Sequence, residues 1–241
     1  MTVLPDALQP RGRGARSNRS SRFEPEDRDP FDDGWSSAEP PARPLRTEVG
    51  VDAVRTIITR NQSPDLSFDR SINPYKGCEH GCVYCYARPS HAYLGLSAGL
   101  DFESRIFAKP DAAERLRAEL ADPKYQPAPI VIGANTDPYQ PVERRLEITR
   151  SVLAVLAEAR HPVSLITKSA LILRDLDLLG PMAAQGLVKA AVSVTTLDRA
   201  LARSLEPRAA TPGRRIHDIK GIFGTGLTDT HIVAPIIPAL I

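Results

Sequence analysis

Net charge is nearly absent from this sequence: 31 Lys and Arg stand against 29 Asp and Glu, a formal +2 over 241 residues. A balance that small gives no electrostatic argument for nucleic acid or an anionic membrane as partner. No run approaches the ~18 apolar residues that a spanning helix needs, so no membrane segment is expected. Met1 to Pro10 lacks the basic start and long apolar core of a secretory signal. Cysteine is scarce, and its three occurrences all fall between positions 78 and 85. Thiols so confined exclude a scaffold of disulfides joining distant segments. They point to a reducing compartment, read as the cytoplasm, and to a bound metal.

Composition divides the chain at about residue 45. Residues 1–45 hold seven of the 22 prolines, and their charge is segregated. Arg11, Arg13, Arg16, Arg19 and Arg22 have no acid among them. Glu24, Glu26, Asp27, Asp29, Asp32, Asp33 and Glu39 follow, with Arg28 alone against them. Such a segment buries too little apolar surface to offset the entropy of ordering it, so a disordered charged arm is expected. It reads as a solvated tail, with nucleic-acid contact through the arginines as the alternative. Phe23, Phe31 and Trp35 are the residues that could pin part of it to the body.

From residue 46 to 241 a single domain of alternating strands and helices is expected. Ile130 to Ala134 is a continuous apolar run, as in a strand buried on both faces. Val142, Leu146, Leu153 and Leu156 then recur at helical spacing and predict one helix over 142–160. Further strands are expected over 163–167, 188–195 and 232–237, and weaker ones over 71–75 and 105–108. Helices are expected over 112–120, 171–185 and 212–223. Six strands with helical crossovers are the signature of an α/β fold with a parallel sheet or barrel.

The chemistry lies in the segment from Tyr75 to Tyr86, YKGCEHGCVYCY, where Cys78, Cys82 and Cys85 are spaced C-x3-C-x2-C. Gly77 and Gly81 let the backbone turn tightly enough for three sulfurs to approach one another. Thiolates select iron–sulfur clusters, zinc or copper(I). A [4Fe–4S] cube usually takes four cysteines, so three leave one iron open. The alternative is zinc on three cysteines with His80 or His91, although zinc motifs usually come as C-x2-C pairs across a longer loop. Otherwise both histidines read as surface residues of the loop.

The cysteine spacing, with Tyr84 before the last cysteine, resembles the signature of the radical S-adenosylmethionine (radical SAM) superfamily. Over residues 69 to about 238 the chain is similar to a bacterial branch related to spore photoproduct lyase. The stretches that carry this are Arg70 to Ser97, Asn135 to Arg144, Ile166 to Gly180 and Ser193 to Ala209. The resemblance implies a partial parallel (β/α)6 barrel and a [4Fe–4S] cluster on Cys78, Cys82 and Cys85. It implies S-adenosyl-L-methionine (SAM) chelating the open iron and cleaved reductively to a 5′-deoxyadenosyl radical. It also implies an electron donor of the reductase or flavodoxin type. Thr136, Lys168 and Ser193 resemble SAM contacts, Asp137 is a further candidate, and Tyr84 is the expected neighbour of the adenine. Without the resemblance, Asp137-Pro138 reads as a turn, Lys168 as a solvated charge and Ser193 as a backbone partner.

Two departures qualify the resemblance. The chain reads as truncated after the sixth strand, and Gly221, Gly224 and Gly226 interrupt the helix expected before it. Photoproduct lyases also carry a hydrogen-donor cysteine outside the cluster, and no fourth cysteine is present. The reading is therefore a radical SAM enzyme of unassigned substrate, small molecule or nucleic acid. A pyrimidine-photoproduct lyase and a non-catalytic metal-binding module that binds nucleic acid are the alternatives.

Overall fold

The computed structural model describes residues 13–15, 17–20, 23, 45–223 and 228–238. In chain order its strands are β1 (Glu48–Val51), β2 (Thr59–Arg60), β3 (Arg70–Ile72), β4 (Tyr75–Lys76), β5 (Arg105–Ala108), β6 (Ile130–Ile132), β7 (Val163–Thr167), β8 (Val188–Ser193) and β9 (Thr228–Ile232). Its helices are α1 (Leu100–Ser104), α2 (Ala112–Leu120), α3 (Glu143–Leu146), α4 (Ile148–Glu158), α5 (Leu176–Ala183), α6 (Arg199–Leu205) and α7 (Pro212–Phe223).

The apolar run at β6 is buried along its whole length because it has a parallel neighbour on each side, β3 and β7. The sheet continues through β8 to β9, also parallel, and β2 closes the other edge antiparallel to β3, in the order β2-β3-β6-β7-β8-β9. Ile72, Ile132, Leu165 and Val192 from the strands share one core with Val152, Leu153 and Leu156 of α4, Leu179 and Met182 of α5, and Ile219 and Ile222 of α7. Each such side chain taken fully out of water contributes about 1.5–3 kcal/mol, so this layer holds the strand ends in place. Asp198 begins α6 by accepting hydrogen bonds from the amides of Ala200 and Leu201.

Several expected boundaries move. Arg105–Ala108 is a strand but lies outside the main sheet: β5 pairs with β1 in parallel and with β4 antiparallel in a separate three-stranded sheet. The strand expected over 71–75 splits at Asn73 and Pro74, β3 joining the large sheet and β4 the small one. The helix expected over 142–160 breaks at Glu147, whose φ is 53°. There the buried Glu143 carboxylate accepts the amides of Thr149 and Arg150, so α4 starts afresh on a side-chain cap. The helix expected over 171–185 opens as a tighter 3-10 segment, Ala170–Asp175, before α5. The last strand is β9, ending at Ile232 where it was expected to begin. Pro235, inside the expected run, has no amide to give a ladder.

Of the arm expected over residues 1–45, Arg13 to Ala15, Ser17 to Ser20, Phe23 and Leu45 are described. The described part is bonded to the body, where backbone amides meet a buried acceptor: Gly14 and Ala15 donate to the Glu103 carboxylate. The Phe23 ring lies 5.6 Å from that of Tyr93. Phe31 and Trp35 lie outside the described residues.

Candidate active site

The cysteine loop leaves β4 and is fixed largely by residues distant in sequence. Gln140 accepts from the Glu79 amide (2.9 Å) and donates to the Gly77 carbonyl (3.1 Å). Phe102 of α1 accepts from the Cys78 amide (2.9 Å), and Leu205 of α6 accepts from that of Val83 (2.9 Å). Arg88 gives two guanidinium hydrogen bonds to the Cys82 carbonyl, and its Nη2 lies 2.5 Å from the Glu103 carboxylate. Gly81 turns with φ 67°, and a Cβ on it would lie 2.7 Å from the Glu103 carboxylate. That position needs glycine on both grounds.

Cys78 and Cys82 are buried, Cys85 is partly so, and all three are free thiols. Burial pushes the Cys82 thiol up to about 12 and raises Cys78 and Cys85 as well. Cys82 and Cys85 each add to the rise at Cys78, so the thiols lie within electrostatic reach of one another. Among the described residues no three His, Cys, Asp or Glu side chains form a ligand group for a metal ion.

The ends of the parallel strands bring the other predicted residues to the same place. Lys168 follows β7 and Ser193 ends β8, and Lys168 Nζ donates to Ser193 Oγ at 3.0 Å. The same ammonium stands 5.9 Å from the centre of the Tyr84 ring. Its charge works to lower the Cys82 and Cys85 thiol pKa values against burial, which places it beside the loop. Tyr84, Lys168 and Ser193 thus meet next to two of the cysteines.

Thr136 and Asp137 are close by but engaged by the protein. Thr136 Oγ1 donates to the Tyr75 carbonyl at 2.7 Å. Asp137 accepts from the Tyr139 amide, from Thr167 Oγ1 and from the Lys168 amide, at 2.9, 2.7 and 2.7 Å. His80 Nδ1 stands 3.3 Å from its Oδ2, in ion-pair range but without hydrogen-bond alignment. Burial opposes the Asp137 charge, yet His80 and the hydrogen bonds outweigh it and bring its pKa down to about 2. A carboxylate has about four acceptor positions, and three of them are taken by these hydrogen bonds.

The two histidines are not at the surface. His80 is 2% exposed, and His91 is 0% exposed, with Nε2 2.9 Å from the Arg105 carbonyl and its ring edge-on to Phe102. Burial lowers the His91 pKa, which favours the neutral ring.

Glu206, Arg215 and Glu103 carry signals that sequence reasoning passed over. Tyr84 donates its hydroxyl to Glu206, which also accepts from Thr195 Oγ1 at 2.7 Å and pairs with Arg215. Arg215, 1% exposed, donates to the Ser193 carbonyl at 2.8 Å and the Ala210 carbonyl at 2.7 Å. Burial works against the Glu206 charge, but Arg215 and the hydroxyls hold its pKa below the usual value. One buried ion pair thereby braces both Tyr84 and the end of β8. The pattern available was Glu206-Pro207-Arg208 within a stretch already singled out; Arg215 lay beyond it in an ordinary helix. Tyr86, 75% exposed beside Cys85, reaches across to donate to the Ala134 carbonyl at the end of β6.

These features define a parallel-sheet α/β protein whose strand ends face a three-thiol loop. A family profile described as the radical SAM superfamily matches residues 72–239, and the chain belongs to that superfamily. It is 40% identical over 176 residues to an uncharacterized protein of Mycobacterium tuberculosis, a match covering 73% of this chain and 52% of that protein. It is 27% identical over 170 residues to an uncharacterized protein of Methanocaldococcus jannaschii, covering 70% and 61%. The chain thus spans little more than half the length of these relatives. Among solved structures, spore photoproduct lyase complexed with dinucleoside spore photoproduct has the same fold, with a TM-score of 0.53, 19% identity, and 79% and 51% of the two chains covered. A mutant of that lyase with bound AdoMet and the same dinucleoside gives a TM-score of 0.52 at 18% identity, covering 78% and 51%. No helix among the described residues is long and apolar enough to cross a membrane.

Proposed function

We propose that residues 46–241 are the core of a radical SAM enzyme, preceded by the charged arm of residues 1–45, in which Cys78, Cys82 and Cys85 hold a [4Fe–4S] cluster. The observation that carries the reading is the meeting of Lys168, Ser193 and Tyr84 beside Cys82 and Cys85. The thiols suit a cube better than zinc. Zinc motifs usually come as C-x2-C pairs across a longer loop, whereas these three thiols fall within eight residues of one loop. Such a cluster, when bound, supplies the electron for reductive cleavage of SAM to methionine and a 5′-deoxyadenosyl radical. The chain's own residues do the rest. Lys168 and Ser193 present a cation and a hydroxyl to polar groups of SAM, and Tyr84 offers a ring face to the adenine. Asp137 and Thr136 act one step back, fixing the Lys168 backbone and the strand that leads into the loop. In this reading a reductase or flavodoxin-type protein supplies electrons.

The test is iron and sulfide analysis of anaerobically reconstituted protein, followed by a SAM-cleavage assay with a strong reductant. About four irons per chain and formation of 5′-deoxyadenosine are expected, with both lost in Cys78→Ala, Cys82→Ala or Cys85→Ala. Stoichiometric zinc in place of iron, or a full cluster that never cleaves SAM, would reject the reading.

A further inference from the structure

Residues 13–20 lie in a segment whose composition promises no structure, yet their described part fits the outer side of the cysteine loop closely. Arg13 is buried; its guanidinium donates to the Glu103 carbonyl at 2.6 Å, the Leu45 carbonyl at 2.8 Å and Thr47 Oγ1 at 3.1 Å. Thr47 in turn donates to Glu79, inside the loop, at 2.5 Å. The Gly14 and Ala15 amides donate to the two oxygens of the Glu103 carboxylate at 2.9 and 2.7 Å, the same carboxylate that pairs with Arg88. Asn18 exchanges two 2.9 Å hydrogen bonds with Asp101, and the Ser17 carbonyl accepts from the Leu100 amide. Two glycines make the fit possible. A Cβ on Gly14 would fall 1.8 Å from the Gly81 carbonyl oxygen, and one on Gly99 2.0 Å from the Ser17 carbonyl oxygen.

We propose that the described residues 13–15 and 17–20 form a strap that closes the back of the cysteine loop, latched on the Glu103 carboxylate, and that it limits access of small molecules to the sulfurs from that side. The chemistry follows from the partners. Glu103 is wholly buried, and its charge is tolerable only while Arg88 and the two strap amides solvate it. The strap lies on Gly81 and Val83, on either side of Cys82, whereas Lys168 and Tyr84 mark the side left for SAM. The shell around a metal site governs solvent access to it. The strap confines that access to the substrate side.

Two measurements test this on the full chain. The first is hydrogen exchange in the metal-free protein, where the Gly14, Ala15 and Leu100 amides should exchange at least about tenfold more slowly than an unstructured chain; tenfold corresponds to 1.4 kcal/mol, the size of one charge-assisted hydrogen bond. Unprotected Gly14 and Ala15 amides overturn the strap outright. The second compares Gly14→Val, which cannot seat against Gly81, with Gly213→Ala, where added volume meets open space. With thermal midpoints equal to wild type, Gly14→Val should lose cluster iron to a chelator roughly tenfold faster, and Gly213→Ala at the wild-type rate. Equal rates in all three reject the shielding role. The second measurement rests on the proposed cluster. A wild-type protein that takes up no iron would sink that reading, and the exchange data would still judge the strap; they also decide if Gly14→Val does not fold.

Discussion

Lys168 and Ser193 hold each other, so neither can be removed without leaving the other short of a partner. For a radical SAM site built on them, Lys168→Ala and Ser193→Ala should each weaken SAM binding by about 10- to 150-fold, the scale of one charge-assisted hydrogen bond. Iron content should stay at the wild-type level, and the double variant should fall short of the sum of the two because they share one bond. Isothermal titration of the reconstituted proteins reads all three. Asp137 makes a different prediction. Its pKa in the folded chain is about 2, against an ordinary 3.8. The stability this lends is therefore fully present above pH ~4 and is lost as pH falls through about 2. Asp137→Asn should flatten that part of the acid-unfolding curve, followed by circular dichroism, and should lower stability at pH 7, where the charge is in use.

At the scale of elements, α6 illustrates how a remote helix serves the loop. Its last residue, Leu205, takes the Val83 amide, and its start depends on Asp198. Asp198→Ala should cost about 1 kcal/mol and lower the melting midpoint by roughly 2–4 °C. Elements like α2, α4 and the β6–β8 strands were legible in the sequence because an apolar period or an unbroken apolar run depends on local order alone. The placement of Arg105–Ala108 was not, since β5 is as strand-like as its counterparts and only its partners, β1 and β4, exclude it from the large sheet. The break at Glu147 was hidden for a related reason: the cap that causes it is a glutamate, ordinary in any helix, made special by burial beside Arg174. Of the candidate site, the clustering of the thiols was legible from their spacing, and Lys168 and Ser193 were candidates through the family resemblance and their places at strand ends. The burial of His80 and His91 was not, because nothing local in a loop announces what will cover it.

At the scale of the whole molecule, a charge-balanced body and a segregated arm leave little for nucleic acid to hold. Arg13, one of the five basic residues in the arm's first block, spends its guanidinium on Glu103, Leu45 and Thr47. Any affinity for DNA should then rest on a few phosphate contacts, falling about 40-fold between 50 and 200 mM salt if three are made. Fluorescence anisotropy across that range checks it; sequence-specific binding that persists at high salt would contradict the picture.

The Tyr84 hydroxyl and its acceptor Glu206 are 122 residues apart in the chain. Closing so long a span is slow to begin and comes late, since the entropy of the intervening loop is lost before the contact rewards it. A ribosome adding about 5–20 residues per second exposes the three thiols many seconds before α6 and α7 exist to enclose them. The cysteine loop is thus open to oxidation and stray metal while synthesis lasts, and in the reading proposed above the cluster is expected to enter after the last third has folded.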